Sequence, residues 1–278
     1  MLGLPKRKGF ANPFARYGVD YKRRADEQGY RARSAYKLKQ IDDEFNVLSD
    51  GDTVVDIGAA PGSWTQVAVE RVGAEGHVVG VDLAPIKDFG GDEVGADSDT
   101  DVEFLRGDIT EDETKDRLQE AVGEDGADAV VSDASPDISG EWTLDHARSV
   151  HLARNSLDVA RRLLEPGGYF VVKVFQGDTM NEFRSEVDDA FEDVATYTPD
   201  ASRGESSEVY VVGLGRVDAP IEEGEVFEAE IIDEGEEGDG IVRVDGYVLF
   251  IGDADVGETI EVRVTELKPR FGFAERVR

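Results

Sequence analysis

The chain has 278 residues, with 30 basic side chains against 62 acidic ones and a formal net charge of −32. That length suffices for one domain of ~200 residues plus a small appendage. The absence of cysteine excludes disulfides, thiolate metal sites and a cysteine nucleophile.

His77, His146 and His151 show no metal-ligand spacing, so no metal is expected. No apolar run approaches the ~18–20 residues of a membrane span. Met1 to Lys8 lacks the apolar core of a signal peptide, and a cytoplasmic protein with no membrane partner is expected. The many Val, Ile and Phe strands argue against disorder as the source of the acidity. With nine lysines against 21 arginines, the surface suits a protein that must stay hydrated in very high salt, and a halophilic host is expected. The charge is uneven. Residues 1–40 hold 11 basic and 3 acidic side chains, a local balance of +8 on an acidic body. That basic head predicts contact with an anionic partner. At molar salt the Debye length is ~3 Å, so such contacts must be close.

In chain order, residues 33–45 have helical spacing, with Ala35, Leu38, Ile41 and Phe45 on one side. The spacing then predicts a strand over 53–57, a helix over 64–72 and strands over 77–81 and 102–105. Residues 90–101 read as a flexible glycine- and aspartate-rich loop. A helix near 113–122, a strand over 127–132 and a long helix over 144–164 follow, the last ended by Glu-Pro-Gly-Gly. A strand over 169–175, a helix near 180–191 and two closing strands near 194–198 and 208–214 complete the pattern. Continuous apolar strands alternating with helices imply a Rossmann-like, doubly wound, mostly parallel sheet, finished antiparallel because no helix separates the last two strands. After Gly215 short strands over 226–232, 240–244, 247–251 and 259–266 predict a small OB-like β-barrel. The expected divisions are a basic segment at 1–40, an α/β domain at 41–215 and a barrel at 216–278, joined through 218–224.

Val54-Val-Asp-Ile-Gly-Ala-Ala-Pro-Gly-Ser-Trp64 is a strand running into a glycine-bearing turn and a helix. Gly58 and Gly62 allow close backbone approach to a ligand, and the helix N-terminus offers unpaired N–H groups. The loop lacks G-x-G-x-x-G. Instead Asp56 precedes the first glycine, which suits a ligand bearing an ammonium group. The next strand ends in Asp82, about 20 residues past the loop, where a carboxylate holds ribose hydroxyls. The third ends in Gly107-Asp108, placed to meet an adenine amine. Together these acids describe S-adenosylmethionine better than NAD.

Lys173 lies inside Gly168-Tyr-Phe-Val-Val-Lys-Val-Phe175, an otherwise apolar strand. An ammonium there must be paired, deprotonated or aimed into a site; alone, it reads as a strand-end lysine snorkelling to solvent. Asp133 closes the fourth strand and Glu208 opens the last, both at the sheet edge where ligands bind.

Over residues 20–215 the chain resembles the FtsJ (RrmJ) family of ribosomal RNA ribose 2′-O-methyltransferases. The matching segments are Arg31-Ala-Arg-Ser-Ala-Tyr-Lys-Leu, Asp56-Ile-Gly-Ala-Ala-Pro-Gly-Ser-Trp, Ser132-Asp-Ala-Ser-Pro, Phe170-Val-Val-Lys-Val-Phe-Gln-Gly and Ser206-Ser-Glu-Val-Tyr. The resemblance implies a catalytic tetrad of Lys37, Asp133, Lys173 and Glu208. It implies cofactor contacts at Gly62, Trp64, Asp82, Asp108 and Asp133. Ser63 departs from the family, which commonly has a third small residue there, and the acidic body departs from its usual basic surface. Lys173, partly desolvated and near Lys37, is the candidate base, with Asp133 and Glu208 fixing its direction. Residues 216–278 resemble a TRAM domain through Glu228-Ala-Glu-Ile-Ile-Asp, Gly238-Asp-Gly-Ile-Val-Arg, Tyr247-Val-Leu-Phe-Ile, Val262-Arg-Val-Thr-Glu-Leu and Phe271-Gly-Phe-Ala. Tyr247, Phe250, Phe271 and Phe273 either stack bases or fill the barrel core. The implied reaction is S-adenosylmethionine-dependent methylation of a uridine 2′-hydroxyl in 23S (large-subunit) rRNA, met on an assembling 50S subunit. Methylation of tRNA, or a non-catalytic ribosome-assembly role, are the alternatives.

Overall fold

Three apolar clusters organise the chain, two of them on opposite faces of one sheet and the third inside a second sheet. The computed structural model describes residues 20–202, 207–235 and 238–277. The head at 1–19 and Ser206, on which expectations were placed, lie outside the described residues.

Asp20 caps helix α1 (Tyr21–Gln28), its carboxylate accepting from the Arg23 amide at 3.1 Å, and Gly29 ends it in the left-handed region. Helix α2 (Ala35–Phe45) ends on a left-handed Asn46. Strand β1 (Thr53–Ile57) then feeds helix α3 (Ser63–Val72) through the glycine turn. The order continues with β2 (His77–Asp82), β3 (Asp101–Arg106), α4 (Asp112–Val122), β4 (Ala127–Ser132), α5 (Trp142–Leu163), β5 (Leu164–Phe175), α6 (Met180–Asp188), β6 (Phe191–Tyr197) and β7 (Glu208–Arg216).

The seven strands lie in the order β3-β2-β1-β4-β5-β7-β6. Strands β1 to β5 run parallel, and β7 is antiparallel to both β5 and β6. Leu38, Ile41, Trp64 and Val67 pack α2 and α3 on one face, while Leu118, Val150, Leu157 and Phe183 pack α4, α5 and α6 on the other. The chain reverses direction of growth between β1 and β4, which opens a crevice at their carboxyl ends.

The largest departures from the expected boundaries are at β5 and at the passage from α6 to β6. Strand β5 begins at Leu164, because residues 165–168 loop out as a bulge between the Ala127–Leu164 and Ala129–Tyr169 pairings. Pro166 has no N–H to give a ladder, so a bulge accommodates it where a regular strand does not. Phe191 opens β6 instead of closing a helix, because its ring stacks on Phe170 across the sheet at 5.9 Å. The 90–101 loop is tied down: the Glu93 carboxylate accepts two bonds from Arg31, at 3.0 and 2.8 Å, and the Val94 carbonyl accepts from Gln66 at 3.0 Å.

A second sheet follows, ordered β8-β12-β13-β11-β10-β9, from β8 (Val226–Glu230), β9 (Asp233–Glu234), β10 (Gly240–Val244), β11 (Tyr247–Ile251), β12 (Thr259–Leu267) and β13 (Phe271–Arg276). It curls around Ile231, Leu249, Ile251 and Val262. Strand β13, which carries the barrel aromatics Phe271 and Phe273, was given no range from the sequence, and helix α1 was not expected at all. The β13 pattern is inverted, with Gly272 and Ala274 facing inward and Phe271 and Phe273 outward.

Gly58 joins the two loops over the crevice. Its φ is +75°, and a Cβ there would lie 2.6 Å from the Ala134 Cα. Backbone cannot step aside as a side chain can, so Gly58→Ala is expected to cost about 1–3 kcal/mol in denaturant unfolding. Unchanged stability would show that the two loops are not held together in solution.

Candidate active site

The carboxyl ends of β1, β2 and β4 frame a cavity of about 480 Å³, within the range of small-ligand pockets. Ile57, Val81, Leu83, Ile109 and Leu152 give it apolar walls, while Asp82, Asp108 and Asp133 stand on its lining. Asp82 is fixed by main chain: its two oxygens accept from the Ala60 amide at 3.1 Å and the Ala84 amide at 2.8 Å. Asp108 accepts from the Thr110 amide and hydroxyl, at 2.9 and 2.8 Å, and these donors hold its carboxyl below the usual range. Behind the glycine turn Asp56 is fully buried. One oxygen accepts from the Thr65 hydroxyl at 2.6 Å; the other has no hydrogen-bond partner.

Beside this cavity the strands bring together four charged side chains. Lys173 is only 8 % exposed. Its Nζ donates to the Asp133 carbonyl at 2.6 Å and lies 3.1 Å from Asp133 Oδ1. Both partners come from one residue because β4 and β5 pair in parallel, with Ser132 opposite Val172. Glu208 enters from the antiparallel strand β7, where it pairs with Phe175, and its Oε1 lies 2.8 Å from Lys37 Nζ. Lys37 arrives from α2, buried, with Asp133 Oδ1 3.7 Å away. Two ammonium groups and two carboxylates thus neutralise one another in a nearly dry place.

Tyr210, to which no role was assigned, completes the cluster. It lies directly across from Lys173 in the sheet, and its hydroxyl donates to Asp133 Oδ1 at 2.7 Å. Burial, then the Asp133 charge, pushes the phenol well above its usual range, so it remains a donor. Its ring lies 5.7 Å from both Lys37 Nζ and the Trp64 ring. A two-residue spacing from Glu208 on a strand was the signal that puts both on one face. Arg31 is the second residue given no role. Besides Glu93 it donates to the Pro61 and Lys87 carbonyls, at 3.0 and 2.6 Å, joining the start of α2 to the glycine turn.

Of the expected cofactor residues, Asp82, Asp108 and Asp133 line the cavity, whereas Gly62 and Trp64 do not. Trp64 is buried and its indole N–H donates to the Ser34 carbonyl at 2.9 Å. A side chain on Gly62 would meet Arg31 at 2.9 Å, which keeps that turn closed over Arg31. Among the described residues no group of histidine and carboxylate side chains is placed to hold a metal ion. No helix among them is long and apolar enough to cross a membrane.

The model of FtsJ-like methyltransferases matches residues 30–216, the whole of the sheet just described. The chain belongs to that family. Residues 220–277 match the TRAM domain. A curated Halorubrum lacusprofundi protein, named ribosomal RNA large subunit methyltransferase E, is 56 % identical over 93 % of each chain. A protein of the same name from Methanothrix thermoacetophila is 47 % identical over 91 % of this chain and 94 % of its own. A crystal structure of a Plasmodium falciparum ribosomal RNA methyltransferase superposes with a TM-score of 0.57 at 26 % identity, covering 67 % of this chain and 98 % of that one. Halophilic relatives such as Halorubrum account for the acidic, lysine-poor surface.

Burial lifts the Asp56 carboxyl from 3.8 to about 7. Between those values the folded chain keeps a proton that the unfolded chain has lost, so this group's share of stability falls as pH rises. Asp56→Asn keeps an acceptor for Thr65 and avoids that loss. Its stability relative to the parent is expected to rise by ~2–4 kcal/mol from about pH 4 to about pH 7. Denaturant unfolding in molar KCl across that interval measures it; a pH-independent difference contradicts the buried-acid account.

Proposed function

We propose that this chain transfers a methyl group from S-adenosylmethionine to the ribose 2′-hydroxyl of a uridine in large-subunit ribosomal RNA. The observation that carries the reading is the Lys173 amine, held by both the carbonyl and carboxylate of Asp133 at the cavity rim. Family membership and the names of the halophilic and methanogen relatives support methylation of large-subunit RNA. The choice of a uridine 2′-hydroxyl rests on the resemblance of the four charged residues.

The cavity suits the cofactor. A nucleoside needs an apolar slot for its ring and carboxylates for its hydroxyls and amine, and the walls and rim supply both. Asp82 would hold the ribose hydroxyls and Asp108 the adenine amine. Asp133 and the turn from Gly58 would face the methionine end, while Gly62 and Trp64 would support that turn from behind, the Gly62 amide donating to the Ala59 carbonyl at 2.6 Å and the Trp64 indole N–H to Ser34. The unpartnered Asp56 oxygen marks a local deficit of donors on the side of that turn. When bound, S-adenosylmethionine supplies a methyl group made electrophilic by its sulfonium.

The chain's own residues then do three things. Asp133 fixes the direction of the Lys173 amine through two contacts, and Tyr210 fixes Asp133 in turn. Glu208 holds Lys37 alongside, where its ammonium offsets the carboxylates. Lys173 receives the hydroxyl proton in its free-amine form, the ammonium having first given up a proton to solvent, and the cluster holds the oxygen in line, roughly 3 Å from its target. The division into a basic segment at 1–40, a catalytic unit at 41–215 and an RNA-binding barrel at 216–278, and an assembling 50S subunit as partner, belong to the same proposal.

Lys173→Ala is expected to lower methyl transfer to unmodified large-subunit RNA by about 10²–10⁴-fold while leaving cofactor affinity within a few-fold. Labelled-methyl transfer together with cofactor titration checks both. Full activity in the variant would remove Lys173 from the chemistry. A ribose-methylation map of a deletion strain that loses a tRNA site instead would overturn the substrate.

A further inference from the structure

Among the described residues nine large hydrophobic side chains stand exposed, and three of them, Ile138, Trp142 and Leu144, fall within residues 138–144. They lie on the loop that leaves β4 and on the first turn of α5. Apolar side chains grouped on a surface mark a docking place, whereas single scattered ones do not. Trp142 stands out. The chain has two tryptophans, and Trp64 is 2 % exposed whereas Trp142 is 55 % exposed. Among the described residues the Trp142 indole meets no other ring and makes no hydrogen bond. The loop beneath it is fixed. Asp145, buried, accepts from the Ser139 amide and hydroxyl at 2.8 and 2.7 Å and from the Gly140 amide at 3.0 Å. A platform already held in place loses little freedom when a ligand lands on it.

Position points to the ligand. The loop starts at Asp133, the carboxylate shared by Lys37, Lys173 and Tyr210, and its first residues line the cofactor cavity. One turn after Trp142, on the same stripe of α5, His146 Nδ1 lies 2.9 Å from the Phe175 carbonyl oxygen. Further along that stripe the Ser149 hydroxyl accepts from the Phe175 amide at 3.1 Å. The stripe therefore meets the last residue of β5, the strand that carries Lys173 two positions earlier. Trp142 extends it by ~6 Å, at ~1.5 Å per residue, past the end of the strand to the mouth of the crevice. Helix α5 packs on the opposite face of the sheet from α2, which brings Lys37. The indole and the lysine–carboxylate cluster thus flank the crevice from its two sides. Arg148, exposed on α5, lines the cavity and donates to the Asp137 carbonyl at 3.4 Å, which puts a guanidinium beside the same loop. An unpaired nucleotide offers a π-face to the indole and a phosphate to the guanidinium.

We propose that Trp142 is a substrate-positioning residue, its indole stacking on the base next to the nucleotide whose 2′-hydroxyl meets Lys173. The inference rests on the RNA methyltransferase reading and adds to it the residue that sets how the strand lies across the crevice. The neighbouring base follows from the two sides: a ribose brought to Lys173 on the α2 side leaves the α5 rim to the next nucleotide along the strand. Stacking also suits the salt, because it survives at a Debye length of ~3 Å where longer-range attraction to phosphate does not.

The test compares the full-length parent with Trp142→Ala, Trp142→Leu and Trp142→Phe in molar KCl. Binding of a fluorescein-labelled oligouridylate of about 20 nucleotides is expected to weaken about 5- to 100-fold in the alanine and leucine variants. Trp142→Phe keeps a ring and should lose less than about threefold. The KM for unmodified large-subunit RNA should rise by the same factors with kcat within about twofold. Unchanged binding and KM in Trp142→Ala overturn the proposal while the methyl-transfer reading survives. Full restoration by leucine overturns it too, since that means plain apolar docking. So does a fall in kcat at constant KM, which puts the indole on the target nucleotide itself. If the parent transfers no methyl group to any RNA but binding still needs an aromatic ring at position 142, the stacking site stands and the catalytic reading falls.

Discussion

A primary ammonium is costly to take out of water, and the placement of Lys173 makes every neighbouring element answer to that cost. Asp133 meets it twice, through its carbonyl and its carboxylate. That carboxylate is then shared with Lys37 and with the Tyr210 hydroxyl. Glu208 balances the second ammonium. Removing one member leaves an uncompensated charge in a nearly dry place, so the group stands or falls together. Parallel pairing of β4 with β5, antiparallel insertion of β7 and the docking of α2 are all needed to assemble it.

The same strand that delivers Glu208 and Tyr210 explains where the barrel sits. Strand β7 begins at the lysine–carboxylate cluster and runs against β5, so the chain leaves the first sheet at its far end. A parallel last strand would have carried the chain back to the cluster. The antiparallel insertion therefore sets the barrel at the end of the sheet away from the lysine–carboxylate cluster, with Lys268 and Pro269 in contact with both units.

Salt divides the electrostatics of this chain into two kinds. The excess of 32 negative charges serves hydration of the surface and is screened within a few ångströms. Inside, the pair that matters is in contact and shielded from ions: Lys37 with Glu208 at 2.8 Å. Nine lysines in the chain make each placement informative, and Lys37, Lys115 and Lys173 are all buried. An acidic exterior thus coexists with a charge-balanced interior cluster.

The sequence by itself determined the order of strands and helices from α2 to β7, the glycine turn, the acids at strand ends and the paired motifs that bring Lys37, Asp133, Lys173 and Glu208 into view. These features are local: continuous apolar strands, a left-handed glycine and a lone lysine among valines each declare themselves within a few residues. Tertiary structure decided what depends on partners far along the chain. Trp64 is committed to Ser34, Tyr210 is recruited to Asp133, and Arg31 joins three loops, because hydrogen-bond partners are chosen by packing and not by spacing. The extent of strand β13 was not legible, since its large side chains face water and its small ones face the core, which reverses the usual signature. The separation of the barrel from the lysine–carboxylate cluster is likewise a matter of strand direction and register. Only the hydrogen-bonded ladder between β5 and β7 fixes those, and no short stretch of residues encodes it.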